Sequence, residues 1–172
     1  IDNPKHLNYS IKRLKVLQKR LSRKQKGSKN RDKAKQQIAK LHEKISNQRN
    51  DFQHKLTSRL ISENQAIALE TLNVSGMLKN HCLAQSISDV SWSSFVTKLE
   101  YKAEWYGKTI LRIGQFEPST KICNICGYHN KNITLADRKW QCPDCGASLD
   151  RDVNAAINIK KFALNKQNLI GI

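Results

Sequence analysis

Acidic residues are scarce in this chain, and its first third almost lacks them. Of 172 residues, 14 are Asp or Glu against 31 Lys or Arg, and between Lys5 and Arg59 only three acids face 18 bases. Long apolar runs are missing as well. Nothing approaches the roughly 18 residues of a membrane-spanning helix, so no membrane partner is expected. The opening stretch IDNPKHLNYSIKRLK holds no apolar core of the kind a secretory signal uses. The expected home is therefore a reducing cytoplasm, where paired cysteines hold metal more often than they form disulfides. The chain opens on Ile and not Met, as expected of a piece of a longer protein. With a formal charge of +17, the balance speaks to partners and not to fold, and nucleic acid is the commonest polyanion such a surface meets.

The basic third has a clear period. Leu7, Ile11, Leu14, Leu17 and Leu21 recur at three- and four-residue steps, as do Ala34, Ile38, Leu41, Ile45, Phe52, Leu56 and Leu60. Each series makes one apolar stripe on an α-helix. KQKGSKNRDK separates them with a Gly/Ser/Asn break, which predicts an antiparallel αα-hairpin. The opposite faces carry Lys12, Arg13, Lys19, Arg20, Arg23, Lys24 and Lys35. A merely solvated helix face mixes charges of both signs, and this one scarcely does. A surface that tracks phosphates, with binding that weakens steeply as salt rises, is the favoured expectation.

After Asn64 the pattern changes. QAIALETLNV contains the run Ala66–Leu69, read as a short buried strand ending at Glu70. A carboxylate at a strand tip has two readings: exposure at the end of the strand, or a metal ligand or acid–base group on a rigid element. The residues alone do not choose between them. NVSGMLKNH reads as a loop. In SWSSFVTKLEYKAEWYG, residues Trp92, Phe95, Leu99, Ala103 and Tyr106 fall on one helical face, with Gly107 placed to stop the helix. That stripe is expected to pack in a core. KTILRIGQF is strand-like, centred on Ile110 and Leu111, before Pro118 breaks it.

Cys123-x2-Cys126 and Cys142-x2-Cys145 are separated by 15 residues, the spacing of a four-cysteine zinc ribbon. With all four positions filled by thiolates, such a Zn²⁺ is structural and leaves no open coordination site. Gly127 and Gly146 follow the knuckles and permit their tight backbone. Cys82 has no partner in the sequence pattern, and the five histidines are scattered.

The second knuckle runs into CPDCGASLDRDVNAAINI. Asp152 ahead of a helix-like run could be an N-cap, with Asp150 and Arg151 a solvated pair. Against this, Glu70 and Asp152 are carboxylates on separate elements of a polycation. Carboxylates repel a phosphate backbone unless divalent cations lie between, and that combination is what metal-assisted phosphodiester cleavage needs.

The blocks IALETLNVSGMLKN, WSSFVTKLEYKAEWYG, FEPSTKICNICGYHN and WQCPDCGASLDRDVNAAINI resemble the C-terminal half of TnpB proteins. These are the OrfB-type transposases of insertion sequences, related to CRISPR type V effectors. The resemblance implies an α/β fold: an incomplete RNase H/RuvC-like domain with a basic αα-hairpin and an inserted four-cysteine zinc ribbon. It places the hairpin in residues 1–63, RuvC-like strands and a helix in 64–117, the ribbon in 118–147 and the final motif with a C-terminal helix in 148–172. It implies that Glu70 and Asp152 bind catalytic Mg²⁺ or Mn²⁺, that Cys123, Cys126, Cys142 and Cys145 bind Zn²⁺, and that Asp150, Arg151 and Asn154 are accessory. DNA and a guide RNA are the implied partners, with guide pairing reading the sequence, in a prokaryotic cytoplasm at the nucleoid. The family's first catalytic aspartate lies on a strand upstream of NPKHL, and Asp2 does not sit in such a motif. The expectation is a nuclease portion inactive by itself. The rival is a non-catalytic zinc-ribbon module that binds nucleic acid, or a truncated transposase remnant.

Overall fold

A computed structural model describes residues 3–134 and 136–166. Asp2 and the end of the 148–172 segment lie outside the described residues. The chain forms two compact units, one from the residues up to Glu63 with Val74–Tyr106, the other from Asn64–Asn73 with the residues from Gly107 onward.

In the first unit, α1 (His6–Ser22) and α2 (Lys29–Glu63) make the expected hairpin. Leu14, Leu41 and Ile45 form its buried seam, with Leu7, Leu17 and Ile38 packed around them, so the apolar spacing in each helix is what joins the pair. Arg31 closes the turn by donating to the carbonyls of Leu21 at 3.2 Å and Lys24 at 3.0 Å. Beyond the hairpin, α2 packs on α5 (Trp92–Trp105). The buried residues there are Gln53, Thr57 and Ile61 on α2 and Lys98, Leu99, Lys102 and Ala103 on α5.

Two differences from the sequence reading arise in this unit. The stretch NVSGMLKNH holds a single-turn helix, α3 (Val74–Met77), and is followed by α4 (Ala84–Val90). Tertiary contacts hold α4 in place: buried Asp89 accepts from the Leu7 N–H at 3.2 Å and from Arg49 at 3.2 Å. The Gln53 amide also donates to the carbonyls of Val90 at 2.8 Å and Ser91 at 3.2 Å, filling the open acceptors at the helix end. The second difference is Tyr106, which is 65% exposed and not on the packed stripe. It caps α5, and Gly107 with φ +60° turns the chain away after it, a conformation that favours glycine.

In the second unit, β1 (Ala66–Glu70) pairs in parallel with β2 (Thr109–Ile113), Ala66 opposite Thr109 and Glu70 opposite Ile113. The pairing extends one residue further, because both the N–H and the hydroxyl of Thr71 donate to the Ile113 carbonyl at 3.3 and 2.8 Å. Helix α6 (Arg151–Lys166) covers this sheet through Ala163, Ile159, Phe162 and Leu164 against Leu111, Ile113 and Ala68. A separate hairpin pairs β3 (Lys139–Gln141) with β4 (Ser148–Asp150). It has its own small core of Cys123, Ile133, Trp140, Cys142 and Leu149. No helix among the described residues is long and apolar enough to cross a membrane.

Candidate metal centre, carboxylates and basic face

The two cysteine knuckles share one backbone pattern. Gly127 N–H donates to the Cys123 carbonyl at 3.0 Å and Cys123 N–H to the Tyr128 carbonyl at 2.9 Å; Gly146 to Cys142 at 2.9 Å and Cys142 to Ala147 at 2.8 Å repeat it. Both glycines sit at positive φ, +80° and +72°, where a side chain would be strained. The knuckles bring the four thiols together: Cys123 and Cys145 Sγ are 3.8 Å apart, Cys126 and Cys142 Sγ 3.6 Å, and all four lie within 4.8 Å of one another.

That geometry and donor set fit a tetrahedral Zn²⁺, since Zn–S bonds of about 2.3 Å place the sulfurs about 3.8 Å apart. The electrostatics agree. Burial opposes ionisation of Cys123, but N–H groups of Cys126 and Ile125 and the neighbouring thiols outweigh it and pull its pKa down to about 7. The Tyr128 N–H favours the Cys126 thiolate, yet desolvation and the other three thiols push its pKa up to about 12. Four thiols this close cannot all ionise without a counter-charge between them. A divalent soft cation removes that conflict.

One further tie was not legible beforehand. On α6, Asn154 and Asn158 are 1% and 2% exposed, and both reach the first knuckle. Asn154 Oδ1 accepts from the Asn124 N–H at 2.9 Å while its Nδ2 donates to the Ile122 carbonyl at 2.8 Å. Asn158 Nδ2 donates to the carbonyls of Ser119 at 2.8 Å and Ile122 at 2.6 Å. Only the four-residue interval in NAAIN, which puts both amides on one helix face, hinted at Asn158.

The carboxylates divide their tasks differently from the capping alternative. Asp150, not Asp152, caps α6: its Oδ1 accepts from the N–H groups of Asp152 at 3.0 Å and Val153 at 3.1 Å. The reason is register, because α6 begins at Arg151 and the side chain before it reaches the free donors. Asp152 is exposed in the first turn, 3.2 Å from the Arg151 guanidinium and 3.5 Å from that of Arg138. Glu70 ends β1, partly buried, and burial raises its pKa above the ordinary glutamate value. Among the described residues the four cysteines are the only group of three or more metal-type ligands in mutual reach, so Glu70 and Asp152 belong to no such cluster.

Lys12, Arg13, Lys19, Arg20, Arg23, Lys24 and Lys35 are all exposed. Two of them, Arg13 and Arg20, line a groove between α1 and α2 together with Lys40 and Lys44, which the sequence reading did not single out. The groove holds about 500 Å³, and Val16, Leu17 and Leu41 also line it. Cys82 is exposed and unpaired by disulfide.

Comparison with known proteins places these features in context. A family model described as "Probable transposase" matches residues 1–81, and one described as "Cas12f1-like, TNB domain" matches residues 92–159. A "Putative RNA-guided DNA endonuclease" of Streptomyces pristinaespiralis is 47% identical over 159 residues, covering 92% of this chain and 39% of that protein. "Putative RNA-guided DNA endonuclease InsQ" of Escherichia coli K12 is 35% identical over 163 residues, covering 86% of this chain and 40% of that protein. Among solved structures, a Cas12f1–sgRNA–target DNA complex matches with TM-score 0.62 at 18% identity, over 90% of this chain and 41% of that one. The fold is thus Cas12f1-like and mixed α/β, and the chain spans about two fifths of the length of these two relatives.

Proposed function

Because the chain belongs to the TnpB (OrfB-type) transposase family, we propose that it is a nuclease portion of an RNA-guided DNA endonuclease with a RuvC-like site. The observation that carries the proposal is Glu70: a carboxyl raised by burial at the tip of a strand, in a chain of net charge +17. An acid that is costly to ionise there fits a group completed by a cation.

In this reading Glu70 and Asp152 hold Mg²⁺ or Mn²⁺ together with a further carboxylate. When bound, the metal supplies charge stabilisation to the attacking and leaving oxygens of the scissile phosphodiester. Parallel pairing with β2 and the Thr71 bonds to Ile113 keep Glu70 on a rigid element. The Asp150 cap fixes the backbone of Asp152, and the Arg151 guanidinium beside it orients the carboxylate. The basic groove of the hairpin binds the phosphate backbone of DNA or guide RNA, and the zinc ribbon is a structural insertion. The proposed division follows: hairpin in 1–63, RuvC-like strands and helix in 64–117, ribbon in 118–147, last motif in 148–172.

The two-carboxylate set favours a chain that binds nucleic acid but does not cleave it alone. The test is Mg²⁺-dependent cleavage of labelled DNA by this chain and by a polypeptide extended to the length of the relatives. Wild type is compared with Glu70→Ala and Asp152→Ala. Guide-dependent cleavage by the extended wild type, abolished in both variants, is expected. Cleavage that survives Asp152→Ala, or cleavage by the short chain that vanishes in it, overturns the assignment as stated.

A further inference from the structure

Two carboxamides one turn apart on α6 are buried nearly completely, and their described partners all lie in one short segment of backbone around Cys123. Burying an amide is costly unless it is hydrogen-bonded, and its partners tell what it is for. The partners of Asn154 and Asn158 are the Ser119 and Ile122 carbonyls and the Asn124 N–H. Ile122 and Asn124 flank the first cysteine of the knuckle. One turn on, Lys161 Nζ adds a bond to the Asn124 carbonyl. An apolar residue at either asparagine would strand those backbone groups, so the pair is not interchangeable with ordinary packing.

The start of α6 is also held by the second-knuckle hairpin. Asp150 ends β4 opposite Lys139 of β3, and β3 leads directly into Cys142. The Arg151 N–H donates to the Arg138 carbonyl at 2.9 Å, continuing that hairpin into the helix. The segment carrying Asp152 is therefore suspended between the two knuckles that the metal would join.

We propose that Asn154 and Asn158 are positioning residues that couple metal loading at the four cysteines to the order of the α6 turn carrying Asp152. The metal sets the knuckle, the knuckle backbone sets the two amides, and the amides set the helix. Outer partners of a metal site commonly act in this way, in both directions. The meaning of this coupling for cleavage rests on the reading of Asp152 given above; the coupling itself does not.

Amide hydrogen exchange on this chain tests it, with zinc bound and after removal by a chelator. In the wild type, zinc removal is expected to speed exchange of residues 152–157 about tenfold or more. In the Asn154→Ala/Asn158→Ala variant, Co²⁺ substitution should still show four-thiolate coordination, with metal affinity down about ten- to a hundredfold. Residues 152–157 should then exchange fast even when metal is bound, and stripping should add nothing. Should the double variant not fold, Asn154→Asp is the replacement: it is isosteric, loses the donor to Ile122, and is expected to weaken the coupling in the same direction. Protection of residues 152–157 that ignores zinc in the wild type, or depends on zinc as strongly in the variants, overturns the proposal. Cleavage assays on the extended polypeptide are scored separately. Intact coupling with cleavage indifferent to Asp152 would sink the nuclease reading and leave the tether standing.

Discussion

Lys102 on α5 directs its ammonium to the Thr57 hydroxyl on α2 at 2.9 Å, and among the described residues no carboxylate is bonded to it. Its other acceptors are the His54 carbonyl and the Ser58 hydroxyl, both at 2.8 Å. Lys98, one turn earlier, likewise reaches neutral groups among the described residues: Ser94 at 2.6 Å, Gln53 at 3.2 Å and Asn50 at 3.3 Å. Burial lowers the pKa of both, and for Lys102 the charge of Lys98 adds to the effect.

These lysines predict an unusual pH dependence. A base depressed in the folded state binds fewer protons there than in the unfolded chain, so stability rises with pH from the lowered folded pKa towards the ordinary lysine value. Urea unfolding between about pH 7 and about pH 10 should show this gain in the wild type. Lys102→Met should reduce it, leaving the part that Lys98 contributes. Because Thr57 also donates to the Gln53 carbonyl at 2.7 Å, its hydroxyl is not stranded by that change. The variant should be as stable as wild type at neutral pH or more so by about 1 kcal/mol. A loss beyond about 1 kcal/mol would mean the ammonium is a net stabiliser of the helix pair.

The helix start at Asp150 separates a cap from a ligand. Asp150→Ala should cost about 1 kcal/mol in unfolding experiments, because two first-turn N–H groups lose their acceptor. Asp152→Ala, at an exposed side chain, should stay within about 0.5 kcal/mol. Reversed magnitudes would return the capping role to Asp152 and remove one reason to regard it as free for a cation.

Loss of metal should be local. Trp140 is buried in the ribbon core with Cys123 and Cys142, so chelation should unfold that core and shift tryptophan emission to the red. The helical circular dichroism of α1, α2 and α5 should persist, since their seams are built from leucines, isoleucines and the α2–α5 polar contacts. Purified chain should contain about one zinc per molecule. Helix loss in step with chelation would show that the metal stabilises far more than the ribbon.

What the sequence showed and what it hid divide along physical lines. Apolar period revealed α1, α2 and α5, because Leu14, Leu41, Ile45 and Leu99 repeat at helical spacing and are buried for that reason. Cysteine spacing revealed the knuckles, because tetrahedral thiolate coordination demands it. By contrast, Gln53, Lys98, Lys102, Asn154 and Asn158 are polar letters whose burial depends on partners distant in sequence. Apart from the four-residue interval in NAAIN and the accessory role that the resemblance gave Asn154, no local pattern announces such partners. Helix α4 was missed for a related reason: it is seven residues long, too short to stand by propensity, and is held by Asp89 and Gln53.

The groove of the hairpin gives a last prediction, which distinguishes a nucleic-acid surface from a charged but idle one. Each phosphate contact releases counterions, so binding falls with salt at a slope near one unit per contact on logarithmic axes. Arg13 and Arg20 from α1 face Lys40 and Lys44 from α2 across the groove. Arg20→Ala with Lys40→Ala should therefore weaken binding to unrelated DNA sequences alike and flatten the salt slope by about two. Lys12 does not line the groove and serves as the control, with a smaller effect on slope expected from Lys12→Ala. Four basic side chains converging on one groove concentrate positive potential there, so a phosphate is attracted more strongly than by a lone charge on an open helix face. If all single charge removals lower affinity equally, the hairpin acts as a diffuse polycation and the groove has no special part. If the groove pair dominates, a strand of the nucleic acid follows the line where the two helices meet.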